Sequence, residues 1–174
     1  LSGVQNSIEA VVDHTKTSKT EIFGITSTTP QLPAATKISE AIRQTKPSAR
    51  IIIGGPHPTL VNTALKREKR LNVDGRATKA MRRLEEFFDV IIAGDGEEAI
   101  FQAIQKNAPM LIDADDPQSL LFLNQQHLNN LPFPARHLID APSYHYSIEG
   151  FSAISLIAQL GCPYACGFCG GRES

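Results

Sequence analysis

Cysteine is absent from the first 161 residues of this 174-residue chain. Three cysteines in all, with no basic-then-apolar leader at Leu1-Ser2-Gly3-Val4, argue against a disulfide framework, and a reducing cytoplasm is the expected home. No apolar run reaches 18 residues, which excludes an obvious membrane-spanning helix. Charge of one sign is also lacking: 17 basic residues face 18 acidic ones. Nothing global therefore draws the chain to nucleic acid or to an anionic membrane. Neither G-x-G-x-x-G nor G-x-x-x-x-G-K-[ST] occurs, so the dinucleotide and P-loop fingerprints are missing. There is no internal repeat beyond an alternation of strands and helices. The chain does not open on Met, and a further segment is expected upstream.

What is present is a rhythm. Val4, Ile8, Val11 and Val12 recur at helical spacing, as do Ala34, Ala35, Ile38, Ala41 and Ile42 before the stop signal Pro47. Between and after them lie short apolar runs: Ile22-Phe23-Gly24-Ile25, Ile51-Ile52-Ile53 and Asp89-Val90-Ile91-Ile92-Ala93. Ile100, Phe101 and Ile104 return to helical spacing. Fully apolar strands alternating with amphipathic helices predict an α/β domain, a doubly wound parallel sheet covered on both faces, over residues 1–107. Residues 60–88 interrupt this rhythm and hold eight of the 17 basic residues. They read either as a solvated helix face, with Leu71, Met81, Leu84, Phe87 and Phe88 turned inward, or as a patch for anions or another protein. The absence of interleaved exposed aromatics favours the first. Residues 108–150 hold five of the 11 prolines and little periodicity, which predicts a linker that packs in places. Ser152 to Leu160 then reads as one more strand.

Ligands of open parallel sheets bind beyond the carboxyl ends of the strands. Three loops should share that rim: Thr26-Ser27-Thr28-Thr29, Gly54-Gly55-Pro56-His57-Pro58-Thr59 and Gly94-Asp95-Gly96-Glu97. Small hydroxyls offer hydrogen bonds without bulk. Gly54, Gly55, Gly94 and Gly96 allow close approach of backbone to a large ligand. Glu97 can start the next helix. His57, between two prolines, is either a ligand contact or a turn histidine held by backbone.

Cys162, Cys166 and Cys169 are separated by three and two residues on one short stretch. Thiolates so placed can converge on a single metal centre. Structural zinc wants four ligands, usually two close pairs, and a second pair is absent. A [4Fe–4S] cluster is normally held by four cysteines, so three leave one iron open to a further ligand. Zinc with a distant fourth ligand and three free thiols are the alternatives.

This cysteine pattern, after a predicted strand, resembles the signature of radical S-adenosylmethionine (SAM) enzymes. The resemblance implies that Cys162, Cys166 and Cys169 hold a [4Fe–4S] cluster. The open iron would chelate the amino and carboxylate groups of S-adenosylmethionine, and electron donation would release a 5′-deoxyadenosyl radical. Phe168 matches the aromatic position beside the adenine. The upstream stretches Gly24-Ile25-Thr26-Ser27-Thr28, Ile53 to Thr59, Asp89 to Glu98 and Leu131 to Arg136 follow the order of the cobalamin-binding members of that family. They imply a Rossmann-like cobalamin-binding domain, a linker at 108–150, and the first strand and cluster loop of a truncated radical SAM barrel at 151–174. Thr26, Ser27, Thr28, Gly54, Gly55, His57, Gly94, Gly96 and Glu97 would then cradle the corrin and its nucleotide tail.

Asp13-His14 does not extend to D-x-H-x-x-G, so a histidine ligand to the lower face of cobalt is not evident. The family's first Rossmann strand is expected before residue 4. On this resemblance the chain is the N-terminal part of a cobalamin-dependent enzyme that methylates an unactivated carbon or closes a ring. A small-molecule substrate and an electron donor would serve the parent, and this chain alone would be inactive. The competing expectations are a non-catalytic cobalamin-binding or assembly module, with its cysteines empty or holding zinc, and a response-regulator-like or flavodoxin-like domain with a zinc tail.

Overall fold

Isoleucine and valine in uninterrupted runs form the central strands of the sheet, because β-branched side chains suit a pleated sheet buried on both faces. The computed structural model describes residues 7–140 and 147–153. The chain divides into two compact units, Val4–Phe133 and a second made of Leu1–Gly3 with Pro134–Ser174. In the first unit the elements run α1 (Ser7–Thr17), β1 (Ile22–Thr26), α2 (Leu32–Thr45), β2 (Arg50–Gly54), α3 (Pro56–Arg70), α4 (Arg76–Phe87), β3 (Val90–Gly94), α5 (Gly96–Ala103), β4 (Leu111–Ala114) and α6 (Gln125–Asn130). The four strands are parallel and lie in the order β1-β2-β3-β4.

Alternation along β2 and β3 divides the core in two. Ile51, Ile53 and Ile91 pack with Ala35, Ile42, Val61, Leu65, Met81, Leu84 and Phe88 from α2, α3, α4 and the chain just after α4. Ile52, Val90 and Ile92 point the other way, onto Ala99 and Ala103 of α5 and Ile112 and Ala114 of β4. Both faces of the central strands are thus covered, as the apolar runs predict. The β1 edge differs. Phe23 and Ile25 pack into the first cluster, whereas Ile22, Gly24 and Thr26 on the opposite face are exposed.

Polar contacts set the register at the amino ends of the strands. The Asp89 carboxylate takes two hydrogen bonds from Arg43 (3.1 and 3.0 Å) and one from the Ile51 N–H (2.7 Å). The Asp89 N–H returns a bond to the Ile51 carbonyl (2.8 Å). Charge-assisted bonds to backbone are stronger than neutral ones, so this carboxylate locks β2 against β3 where the two strands enter the sheet.

The interruption at 60–88 is an α3–α4 hairpin. Met81, Leu84 and Phe88 are buried as predicted and Phe87 is half-buried, but Leu71 is 63% exposed in the turn. Arg83 covers the Phe87 ring at 4.4 Å. Glu68, near the end of α3, reaches across the turn and accepts from the Gly75, Ala77 and Thr78 N–H groups (3.0, 2.9 and 2.8 Å) and from the Thr78 hydroxyl (2.7 Å). These are the orphan donors of a helix start, here capped by a side chain from the preceding helix. The Thr78 hydroxyl, chief among these donors, holds the Glu68 carboxyl down at about 2.

The stretch predicted as a linker from residue 108 contains a strand. β4 pairs with β3 through Ile91↔Leu111, Ile92↔Ile112, Ala93↔Asp113 and Gly94↔Ala114. The sheet therefore extends past residue 107, and α6 follows within the same unit. The strand escapes a periodicity reading because it has four residues, and one of its helix-facing positions is Asp113 rather than an apolar residue. Lys66 of α3 meets that carboxylate at 2.5 Å. In the second unit, Ser147–Ile148 (β5) and Phe151–Ser152 (β6) form an antiparallel hairpin. Its loop residues Glu149 and Gly150 have φ of 51° and 84°, as a tight right-twisted hairpin turn requires. The rest of the strand predicted at Ser152–Leu160 lies outside the described residues from 154 onward.

Two outcomes test this packing. Ile53→Ala should cost about 2–5 kcal/mol of unfolding free energy, read from urea denaturation with an unchanged slope. Glu68→Gln should lower the thermal midpoint at neutral pH. Because the folded Glu68 lies below its ordinary 4.5, its stabilisation is complete above that value and is lost as pH falls through about 2. The gap between variant and wild type should close over that window.

Candidate functional site

The carboxyl ends of all four strands open on one rim, and α3 is the element that fastens its loops together. The chain leaves β2 through Gly54-Gly55. Gly55 has φ +97°, and a Cβ there would stand 2.5 Å from the Thr26 hydroxyl oxygen and 3.1 Å from the Ser27 nitrogen. That close crossing lets the Ser27 N–H reach the Gly54 carbonyl (3.0 Å) and the His57 N–H reach the Ser27 carbonyl (2.9 Å). The first and second rim loops are stitched by these two backbone bonds.

His57 completes the stitch. Its Nδ1 lies 3.0 Å from the Thr29 hydroxyl. The side chain is 8% exposed, and its Nε2 is buried without a hydrogen-bond partner among the described residues. Burial lowers its pKa below the usual 6.5, so the ring is neutral at pH 7. The ring is thus clamped between the first two rim loops through the Thr29 hydroxyl. Ser27 is likewise buried, its hydroxyl donating to the Thr28 carbonyl (2.8 Å).

The third loop is joined to α3 by side chains. The Thr59 hydroxyl donates to the Gly55 carbonyl (2.9 Å) and accepts from the Gly94 N–H (2.9 Å). Gly94 also has φ +97°, and a Cβ there would fall 2.5 Å from the Ala114 carbonyl carbon and the Asp115 nitrogen. One turn along α3, the Thr63 hydroxyl contacts the Asp115 carboxylate (3.1 Å). Lys66 then pairs with Asp113, whose other oxygen accepts from the Asp115 N–H (3.1 Å). Thr59, Thr63 and Lys66 thus form a polar stripe along the ends of β3 and β4.

Gly55 and Gly94 are both required for the chain to pass close to itself. Gly54 has ordinary contact at 3.8 Å with Ile92, while nothing lies within 4 Å of a Cβ at Gly96 or at Gly24. The open surface of the rim is therefore made by the exposed Thr26 and Thr28, by Gly96 and by Glu97 at the start of α5. Thr28 shares the Gln31 side-chain oxygen through its N–H (3.0 Å) and its hydroxyl (2.9 Å).

Thr59, Thr63, Asp113 and Asp115 were not singled out from sequence. Thr59 stood in a quoted loop, but its helical position and its reach to Gly94 come only from folding. Cys162, Cys166, Cys169 and Phe168 lie outside the described residues. Among the described residues there is no cluster of three or more metal-ligating side chains and no helix long and apolar enough to cross a membrane.

Residues 1–85 match the family model described as B12 binding domain. No curated protein and no solved structure matches the chain. The match supports a cobalamin-binding domain, and the α/β architecture with four parallel strands fits a Rossmann-like fold of that kind. The matched residues run from α1 through most of α4. The third rim loop and β4 follow directly in the same sheet.

Substitutions at two glycines separate chain packing from open space. Gly94→Ala should destabilise the fold by about 1–3 kcal/mol from its backbone conformation alone, and further through the clash with Ala114. Gly96→Ala should fold with unchanged or slightly raised stability, since it places alanine in a helix with room for its methyl. Paired thermal melts check both. For His57, stability contributed above pH 6.5 should fall as pH drops below that value, because the unfolded chain takes up the proton first; NMR titration of the ring should give a midpoint below that of a free histidine.

Proposed function

We propose that the sheet domain binds cobalamin at its carboxyl-end rim and that the whole protein is a cobalamin-dependent radical SAM enzyme. The match of residues 1–85 to the B12 binding domain carries the first part. The site supports it in two respects. Small hydroxyls and glycines, rather than bulky side chains, line the rim, so a large flat ligand meets backbone closely. The loops are also fastened underneath, which limits the ordering cost of binding.

Thr26 would donate to the peripheral amides of the corrin, Thr28, whose hydroxyl proton is held by Gln31, would accept from them, and the space at Gly96 would admit its edge. Glu97, in the first turn of α5, would accept from an amide. His57 would hold the first loop at its height without touching cobalt. His14 lies in the last turn of α1, which leads into the amino end of β1 and so stands at the opposite end of the sheet. The binding mode proposed is therefore one without a histidine from either position on the lower face. When bound, cobalamin supplies a cobalt–carbon bond able to deliver a methyl group to an unactivated carbon.

The radical SAM part rests on Cys162, Cys166 and Cys169, whose spacing suits a cluster with one open iron. Phe168 would stand beside the adenine of S-adenosylmethionine. Methyl transfer is favoured over ring closure within that class, with a small organic molecule as substrate and a protein or chemical electron donor.

Two measurements test the halves separately. Titration of the chain with hydroxocobalamin should give one-to-one retention through gel filtration, and Gly96→Ala should weaken it. No retention of corrinoid by the folded wild type would sink the cobalamin assignment. Anaerobic reconstitution with iron and sulfide should give a broad band near roughly 400 nm, lost when the three cysteines become alanine. Stoichiometric zinc without iron would overturn the radical SAM assignment and leave a cobalamin-binding module.

A further inference from the structure

We infer, on the cobalamin reading above, that Thr59 is a positioning residue whose hydroxyl sets the depth at which the third rim loop meets the corrin. Three observations converge on it. First, the Thr59 hydroxyl is fully engaged between two rim loops, donating to the Gly55 carbonyl and accepting from the Gly94 N–H at 2.9 Å each. Second, Gly94 has no room for a side chain on its other side, where a Cβ would stand 2.5 Å from the backbone of Ala114 and Asp115. The peptide is held between α3 and the end of β4. Third, Gly96 follows two residues later with open space before it, so its height above the sheet is inherited from Gly94.

The hydroxyl is therefore worth more to the site than to the helix. The Gly55 carbonyl also accepts from the Thr59 N–H (3.4 Å), and it keeps that partner when the hydroxyl is removed. The Gly94 N–H has Thr59 as its hydrogen-bond acceptor and would be left unsatisfied beneath the loop, a costly condition for a backbone donor. The loop would shift outward to reach water, carrying Gly96 and Glu97 with it. Thr63, one turn away, shares its hydroxyl between the Thr59 carbonyl (3.0 Å) and the Asp115 carboxylate (3.1 Å), so Thr63→Val disturbs the α3 face while leaving the Thr59 hydroxyl on Gly94 and serves as the control.

The test compares Thr59→Val, Thr59→Ser and Thr63→Val with wild type in the full chain. Hydroxocobalamin affinity is measured by equilibrium dialysis, and amide exchange at Gly94 is measured without corrinoid. Loss of one positioning hydrogen bond should weaken binding by about tenfold in Thr59→Val, with Thr59→Ser within roughly twofold of wild type. Exchange at Gly94 should accelerate in Thr59→Val alone, while the amides of Ile51 to Ile53 keep their protection. If Thr59→Val proves insoluble, Thr59→Ala carries the same two readouts.

Equal affinity of Thr59→Val and wild type overturns the positioning role while leaving cobalamin binding intact. An equal loss in Thr63→Val also overturns it, by assigning the effect to the helix face as a whole. Failure of the wild type itself to bind corrinoid removes the cobalamin reading and this role with it.

Discussion

The crossing of the chain at Gly55 governs the rest of the rim. Only a residue without Cβ can hold φ +97° against the Thr26 hydroxyl, and that approach brings the ends of β1 and β2 within two backbone hydrogen bonds of each other. The same turn launches α3 with Pro56 in its first turn, so the helix leaves the sheet in a direction set by the glycine. Everything fastened to α3 inherits that direction. His57 clamps the first loop, Thr59 the third, and Thr63 and Lys66 tie down the end of β4. A single backbone conformation thus propagates through one helix to four strand ends.

The arrangement separates support from contact. Buried groups beneath the rim have their hydrogen bonds turned to the chain itself, His57 to the Thr29 hydroxyl of the first loop and the Ser27 hydroxyl to the neighbouring Thr28 carbonyl. Exposed groups above it, Thr26, Thr28, Gly96 and Glu97, are free of such duties or share them with a neighbour. A rigid underside with an uncommitted upper surface suits a ligand that is large, flat and polar at its edges. This is the physical sense in which the fold agrees with the B12-binding match over residues 1–85.

Much of the sheet was legible from residue order. The runs at Ile51 to Ile53 and Val90 to Ala93 could belong only to strands buried on two faces, and both clusters of core residues bear this out. The rim loops were legible because glycine and small hydroxyls follow directly on those runs. β4 was not, because its strand is short and Asp113 breaks its apolar pattern; the compensating charge, Lys66, stands far away in sequence. Leu71 was expected inward by periodicity but sits in the turn between α3 and α4. There α3 has ended at Arg70, and Leu71 lies 63% exposed in the turn that Glu68 spans to cap α4.

By itself the sequence determined three of the four parallel strands, the rim that their following loops share, and which residue types stand on it. Those are local properties, carried by hydrophobic period and by the conformational freedom of glycine. Only the tertiary structure decided what each rim residue touches. Whether a glycine faces open space or its own chain depends on what lies opposite its missing Cβ, and whether a histidine is presented or buried depends on the loop that closes over it. Gly96 and Gly94 are two residues apart and alike in sequence. One opens on empty space and the other on the backbone of β4, because the partner that fills the second position arrives from a strand twenty residues further along the chain.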